Sequence, residues 1–387
     1  MAERNPHVRN AMKHSKSSGF KWAFGVLLFV VAASALFLRN WQPFGGTVSG
    51  ERLQKAEASA HYEDGRFTNV LPHPSLEFVD VWNYLVEQLF GNQTRVPPFA
   101  TPIAPIPPEL FETQPTRGLR AIWLGHSSVY LELGGLRLMI DPVFSEYASP
   151  FWGIGPRRFH TPPIALVDLP NIDAVMISHD HYDHLDIRTI QHLSAKGSHF
   201  FVPLGVGAHL EEWGVPESRI VELDWWASAE IGDLTMTCTP AQHYSSRGIF
   251  DYKATFWSSW SIAGPKHRVF YSGDTGFSDH FQLIGNQLGP FDLSIMRIGQ
   301  YGPGASWIYS NMSPEDAVQA HLDIRANRML PVHWGTFNIA FHDWDEPIRR
   351  AVEAAKENGV DLATPRAGEI VVADQPFISH DWWEDVR

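Results

Sequence analysis

The chain reads as an α/β (α+β) protein. Strand-like apolar runs alternate with helical patterns over about 250 residues, which requires helices to bury the faces of the sheets. The glycine pair Gly134-Gly135 between two apolar runs marks a two-residue hairpin. Ser313-Pro314 followed by Asp316 marks a helix start, with a capping side chain, proline at the first position and acid in the first turn.

The elements follow from Leu119 onward. RAIWLGHSSVYLELGGLRLMIDPVF contains the hairpin, and further strands are expected at Ala174–Ile177, Phe200–Val202, Leu234–Thr237, Val269–Tyr271, Leu293–Ile295 and Met329–Val332. Helices are expected after Asp186 and after Ser313. Upstream, Ser75 precedes LEFVDVWNYLVEQLF, an amphipathic helix expected to pack on the core through Phe78, Trp82, Leu85 and Leu89. Residues 95–108 (RVPPFATPIAPIPP) hold too much proline for a helix or central strand and read as a linker or strap.

Composition sets outer limits. With 387 residues, 44% hydrophobic and 15 tryptophans, a large core is expected. Net charge is −13. Residues 1–21 carry five basic side chains against Glu3, so the body is more acidic still. An acidic body excludes a broad nucleic-acid footprint. The single cysteine, Cys238, lies in a strand-like run, so no internal disulfide is available and a nucleophilic role has no base to support it.

Trp22–Leu38 is uncharged and flanked by Lys21 and Arg39, with the basic excess on its N-terminal side. This pattern predicts a membrane anchor at 19–38, a cytoplasmic tail at 1–18 and a body that is periplasmic or otherwise extracytoplasmic. Ala33-Ser34-Ala35 resembles the cleavage site of a signal peptide, but Leu36-Phe37-Leu38 continues the apolar run beyond it and favours the anchor. The expected organisation continues with linker, helix and strap at 39–117, a catalytic domain at 118–372 and a tail at 373–387.

The stretch Ser178–Asp186, SHDHYDHLD, places three histidines and three aspartates directly after an apolar run. Further ligand-type residues, His243, Asp274 and His333, also follow apolar runs, where a sheet would present them along one edge. Nitrogen and carboxylate donors without thiolate suit zinc, and equally iron or manganese. Seven such donors are too many for one tetrahedral ion and suit two. Asp180 and Tyr182 alternate away from this set, and Asp186 is the cap of the next helix.

His179-x-His181-x-Asp183-His184, with His243, Asp274 and His333, resembles the metallo-β-lactamase superfamily over about residues 118–372. The resemblance implies a four-layer αββα sandwich. It also implies one ion on His179, His181 and His243, another on Asp183, His184 and His333, and Asp274 bridging them. WLGHSS (123–128), IDPVFS (140–145), SPFWGIGPRRFHTPP (149–163), YSGDTGF (271–277) and PVHWGTF (331–337) are similar to the branch of N-acyl-phosphatidylethanolamine-hydrolysing phospholipase D. That implies two zinc ions and cleavage of a phospholipid phosphodiester by metal-bound hydroxide, oriented by Asp183 and Asp274. One departure is Asn311, where that branch carries a histidine before the helix. Substrate contacts are expected from Asn311 and from His126, Arg157 and Arg158, with Asp141 bracing the metal loop. Trp225-Trp226 and FWSSW (256–260) form either a lipid-facing rim or core. Expected partners are a phospholipid and the membrane, with a homodimer left open. The same metal site acting on a lactone or soluble phosphodiester, or a metal-binding protein without activity, are the alternative readings.

Overall fold

The computed structural model describes residues 41–72, 78–302 and 305–387, together with Phe24, Val26 and Phe29. The chain divides into two units, Met1–Pro43 and Phe44–Arg387. In the first, Phe24, Val26 and Phe29 are helical and exposed, and the rest of the expected tail and anchor lies outside the described residues. Among the described residues no helix is long and apolar enough to cross a membrane. The expected single membrane pass, with the body beyond it, is corrected on that ground.

The second unit opens with α1 (Gly50–Glu57) and a small hairpin of β1 (Tyr62–Glu63) and β2 (Arg66–Phe67). Asp64 and Gly65 turn it, both at positive φ, as a two-residue hairpin loop requires. Helix α2 (Phe78–Phe90) forms where the amphipathic pattern places it, although Ser75 lies outside the described residues. Its stripe is not core. Trp82, Leu85 and Leu89 are exposed, and the helix meets the unit through Tyr84, edge-on to Phe341 at 5.1 Å.

The first large sheet begins as a meander of β3 (Leu119–Gly125), β4 (Ser128–Leu133) and β5 (Leu136–Ile140). Gly134 and Gly135 make the expected turn at φ +61° and +89°, conformations that a side chain would strain. Next come β6 (Ala174–Met176), helix α3 (Ile187–Ala195), β7 (His199–Pro203), helix α4 (Gly207–Glu212) and β8 (Ile220–Leu223), with the strands parallel to β5. Asp186 caps α3 by accepting from the Arg188 amide.

The second sheet contains β9 (Ser228–Ile231), β10 (Leu234–Thr239), β11 (Ser259–Ala263) and β12 (Arg268–Tyr271), all antiparallel. Helix α5 (His280–Leu288) leads to β13 (Phe291–Arg297); α6 (Ala305–Ser310) and α7 (Pro314–Asp323) lead to β14 (Ala326–Val332); α8 (Glu346–Asn358) leads to β15 (Asp361–Leu362). These last three strands extend the sheet in parallel with β12. Ser313 and Asp316 close a complete capping box on α7. Finally β16 (Ile370–Val372) returns to the first sheet and pairs with β3. The sheets therefore order as β16-β3-β4-β5-β6-β7-β8 and β15-β14-β13-β12-β11-β10-β9.

Alternation along each strand explains the four layers. Ala121 and Trp123 of β3 join Met236, Cys238, Trp260 and Ile262 in the core between the sheets. Ile122 and Leu124, one residue out of phase, pack with Ile190 and Leu193 of α3 and Leu210 of α4 outside. Phe281, Ala317 and Ile348 bring α5, α7 and α8 onto the second sheet. This is the expected αββα sandwich. Trp225, Phe256, Trp257 and Trp260 are core rather than rim, because they fill the space between the sheets and beneath the arm. The unit also recruits segments outside 118–372: Phe67 of the arm, Ile106 of the strap, and Trp382, Trp383 and Val386 of the C-terminal residues are buried.

Three buried histidines give the fold a pH response. Burial lowers His280 to about 3, His321 to about 4 and His160, with help from Arg158, to about 4. Since an unfolded imidazole titrates near 6.5, the unfolded chain takes up these protons first, and stability falls as pH drops below that value. Melting curves from pH 7.5 to 5 should show Tm decreasing, and His280→Gln and His321→Gln should each flatten the slope.

Candidate metal centre

Because β3, β5 and β6 run parallel in one sheet, and β10, β12, β13 and β14 in the other, their C-terminal ends lie on one edge of each. Such an edge is where α/β sheets place their sites. His126 follows β3, Asp141 follows β5, and His179 to His184 follow β6. From the second sheet come His243 after β10, Asp274 after β12 and His333 after β14.

The loops are held in unusual backbone. His126, Asp141, Gln300 and His333 all have positive φ, a cost carried where a site needs side chains aimed in one direction. Gly273, just before Asp274, sits at φ +55° where a Cβ would lie 2.5 Å from the Ser258 carbonyl oxygen. The turn therefore runs against the neighbouring chain as only glycine allows.

Two groups of donors that share no residue result: His179, His181 and His243 form one, and His126, Asp183, His184 and His333 form the other; a third, Asp141 with His179 and His184, overlaps both, and within each the ligand atoms lie within 4.8 Å of one another. Asp274 lies between the first two. Its Oδ2 is 3.1 Å from His333 Nε2 and 3.8 Å from His243 Nε2, and its Oδ1 is 3.5 Å from His184 Nε2. All seven sequence-derived ligand positions thus converge, and His126 joins them.

Ring nitrogens face one another here: His179 Nε2 and His181 Nδ1 at 2.8 Å, His333 Nε2 and His184 Nε2 at 3.1 Å, His243 Nε2 and His181 Nδ1 at 3.4 Å. Imidazole nitrogens gathered this closely fit a shared cation, and the nitrogen and oxygen donor set fits a divalent metal.

The supporting groups fix tautomers. His184 Nδ1 lies 2.7 Å from Asp141 Oδ2, which leaves Nε2 toward the centre. Asp141 also accepts from the Ser178 amide and hydroxyl and from the Tyr271 hydroxyl, tying the two sheets together at the site. His243 Nδ1 donates to the Ser310 carbonyl at 3.0 Å, again leaving Nε2 inward. Asp180, directed away from the donors as expected, accepts from Thr255 and the Ser246 amide and pairs with His209.

Electrostatics follow from burial and charge. Burial lowers His126 and His243 to about 3 and drives His179 well below the usual range, assisted by His184. Burial also opposes charge on His184, but Asp274, Asp183 and Asp141 outweigh it and raise His184 well above its ordinary value. On Asp274 the burial penalty is overcome by His333, Arg297 and His184, so the carboxylate is held ionised.

Four placements refine the sequence reading. His126 is fully buried and bonds Asp183 Oδ2 at 2.8 Å, so it braces that carboxylate instead of reaching substrate. Arg157 pairs with Glu146 on the surface. Arg158 is buried, with its donors on the carbonyls of Val143, Leu124 and His160, so neither arginine lines the site. Asn311 does line it, and donates to the Trp307 carbonyl.

Arg297 was not among the expected residues. It ends β13, is fully buried, and its Nε donates to Asp274 Oδ1 at 3.2 Å. The available signal was its position one strand end along the same edge. The centre opens into a cavity of about 580 Å³, lined by His181, Asp183, His243, Asp274 and His333 at its floor. Tyr244, Tyr252, Trp307, Ile339, Gln300 and Asn311 are among its walls.

Residues 136–334 match the model of the β-lactamase superfamily domain. The chain belongs to the metallo-β-lactamase superfamily. Within it, an uncharacterized protein of Mycobacterium tuberculosis is 44% identical over 85% of this chain and 88% of its own length. N-acyl-phosphatidylethanolamine-hydrolyzing phospholipase D 1 of Caenorhabditis elegans is 38% identical over 57% of this chain and 65% of its own. A metal-dependent hydrolase of Pyrobaculum aerophilum is 29% identical over 63% and 96%. Among solved superfamily structures, a possible metal-dependent hydrolase of Veillonella parvula superposes with a TM-score of 0.53 at 19% identity, over 66% of this chain and 99% of that one. The superfamily fold and a candidate metal site thus define this chain as one of the metal-dependent hydrolases.

Proposed function

We propose that the protein is a binuclear phosphodiesterase of the phospholipase D type, acting on N-acyl-phosphatidylethanolamine-like phospholipids. The observation that carries this reading is the position of Asp274 between two donor groups on the floor of a cavity large enough for a lipid head group. The similarity to the nematode phospholipase supports the choice of phosphodiester. Two zinc ions suit the donors, and iron or manganese suit them equally.

Bound there, two divalent cations would supply Lewis acidity toward the phosphoryl oxygens and toward water. The chain's own residues do the rest. Asp274 sets the spacing of the two donor groups, Asp183 completes the second, and Asp141 and Ser310 hold a ring proton of His184 and of His243 on Nδ1, so that Nε2 is the atom presented to a metal. Asn311 offers a neutral amide oxygen to a head group at the wall, while Gln300, bonded to the Phe337 carbonyl and the Ile339 amide, shapes that wall. The loops beside the cavity carry exposed apolar side chains, notably Trp152, Ile249 and Phe250, the last 97% exposed, as suits a substrate with acyl chains.

Two measurements test this. Elemental analysis of the full chain should find two ions per molecule, and fewer than one with the fold intact would sink the binuclear site. A phospholipid panel followed by mass spectrometry should show chelator-sensitive release of head group with phosphatidic acid as co-product. Turnover confined to lactones or water-soluble diesters would exclude the lipid assignment.

A further inference from the structure

We infer that Asn69, on the arm that precedes the sandwich, is a positioning residue for His243, and that the arm completes one of the two donor groups. This rests on the metal-centre reading above. His243 lies four residues past the end of β10, in a loop without a strand partner to fix its backbone. The missing partner comes from a segment 174 residues earlier. Asn69 Nδ2 donates to the His243 carbonyl at 2.7 Å, and the His243 amide donates to Asn69 Oδ1 at 3.2 Å.

One planar amide thus satisfies both main-chain groups of a single residue, as a neighbouring strand would. Its own orientation is set by Trp257 Nε1, which donates to the same Oδ1 at 2.8 Å. The arm is anchored on both sides of this grip. Phe67 is buried and stacks on Phe256 at 4.5 Å, and its amide donates to the Lys253 carbonyl. Past Asn69, the Leu71 carbonyl accepts from Gln242 and from the Tyr309 hydroxyl.

The chemistry divides between two contacts. Ser310 chooses the tautomer of the His243 ring, and Asn69 fixes the peptide from which the ring projects. His179 and His181 complete the same donor group, whereas His126, Asp183, His184 and His333 are held by Asp141, Thr336 and one another. Loss of the Asn69 amide should therefore act on one ion and spare the other.

The test is a zinc titration of the full chain against a competing chelator, for wild type, Asn69→Ala and Asn69→Asp. The control is Gly135→Ala, which strains a distant hairpin and destabilises the same fold. In Asn69→Ala one ion should bind as in wild type and the other about 10–100-fold more weakly, the range expected when a group behind a ligand is removed. Asn69→Asp keeps the acceptor but loses the donor to the carbonyl, and should weaken the same ion. It decides the matter if Asn69→Ala does not fold. Gly135→Ala should retain both affinities.

Two ions held with wild-type affinity in both Asn69 variants would overturn the assignment, as would equal weakening in Gly135→Ala at matched Tm. A wild type that binds none of zinc, manganese and iron would remove the metal reading itself, and this assignment with it.

Discussion

Asp274→Asn is expected to lower phosphodiester turnover by about 10²–10³-fold or more, the scale seen when one positioned electrostatic group is removed from a reaction centre. Asp274 reaches both donor groups, with its carboxylate oxygens near His243 on one side and His184 and His333 on the other. An amide keeps its shape but gives up its charge, so the space between the two donor groups loses an anion while the histidines stay in place. The same change strands Arg297, which is fully buried and bonded to Asp274 Oδ1. Removing one member of a buried ion pair costs about 3–5 kcal/mol. Asp274→Asn should accordingly lower the urea midpoint as well as activity. The double variant Asp274→Asn/Arg297→Met separates the two effects, since stability should partly return and turnover should not. Recovery of turnover in the double variant would show that charge at Asp274 is dispensable.

Asp141→Ala is expected to have the largest effect on stability, about 3–5 kcal/mol by urea unfolding, because several buried groups lose their shared acceptor at once. Ser178, Tyr271 and His184 all converge on this carboxylate, from both sheets. Asp141→Asn should be milder for the fold and distinct for the metal. It presents an N–H where His184 Nδ1 now finds an acceptor, which would turn the ring to the wrong tautomer. Affinity for the ion held by His184 should fall about 10–100-fold, measured by chelator competition. Unchanged affinity in Asp141→Asn would mean that His184 takes its orientation from packing alone.

How much of this was legible beforehand depends on the range of the contact involved. The converging donors were visible because each follows an apolar run, and a parallel arrangement brings run ends to one edge. His179–His184, His243, Asp274 and His333 are local signals in that sense. Asp186 and Ser313 were likewise visible, since a cap is decided within three residues. Asn69 was not visible, because its partner lies 174 residues away and nothing in TNV marks a grip on a distant peptide. Arg297 was hidden for a related reason. Its strand was expected, but a basic residue at a strand end has no pattern until a carboxylate is placed beside it. The arginines of the PRR motif show the converse: residue type suits phosphate binding, yet Glu146 and three carbonyls accept from their donors. Helix α2 had the right periodicity, which predicts a helix but does not say what covers its apolar face.

The division of the sheets between the two halves of the chain has a consequence for folding. Apart from the closing strand β16, the first sheet is built from residues 119–223 and the second from 228–362. His126, Asp141 and the His179–His184 cluster belong to one half; His243, Asp274 and His333 belong to the other. Neither half can assemble the pair of donor groups alone. Bringing them together closes loops of 60 to more than 200 residues, the slow, non-local part of folding. During synthesis the histidine-rich loop emerges before its partners, with only part of the donor set. The complete donor set is a property of the finished molecule, so the contacts that assemble it are also among its most non-local ones.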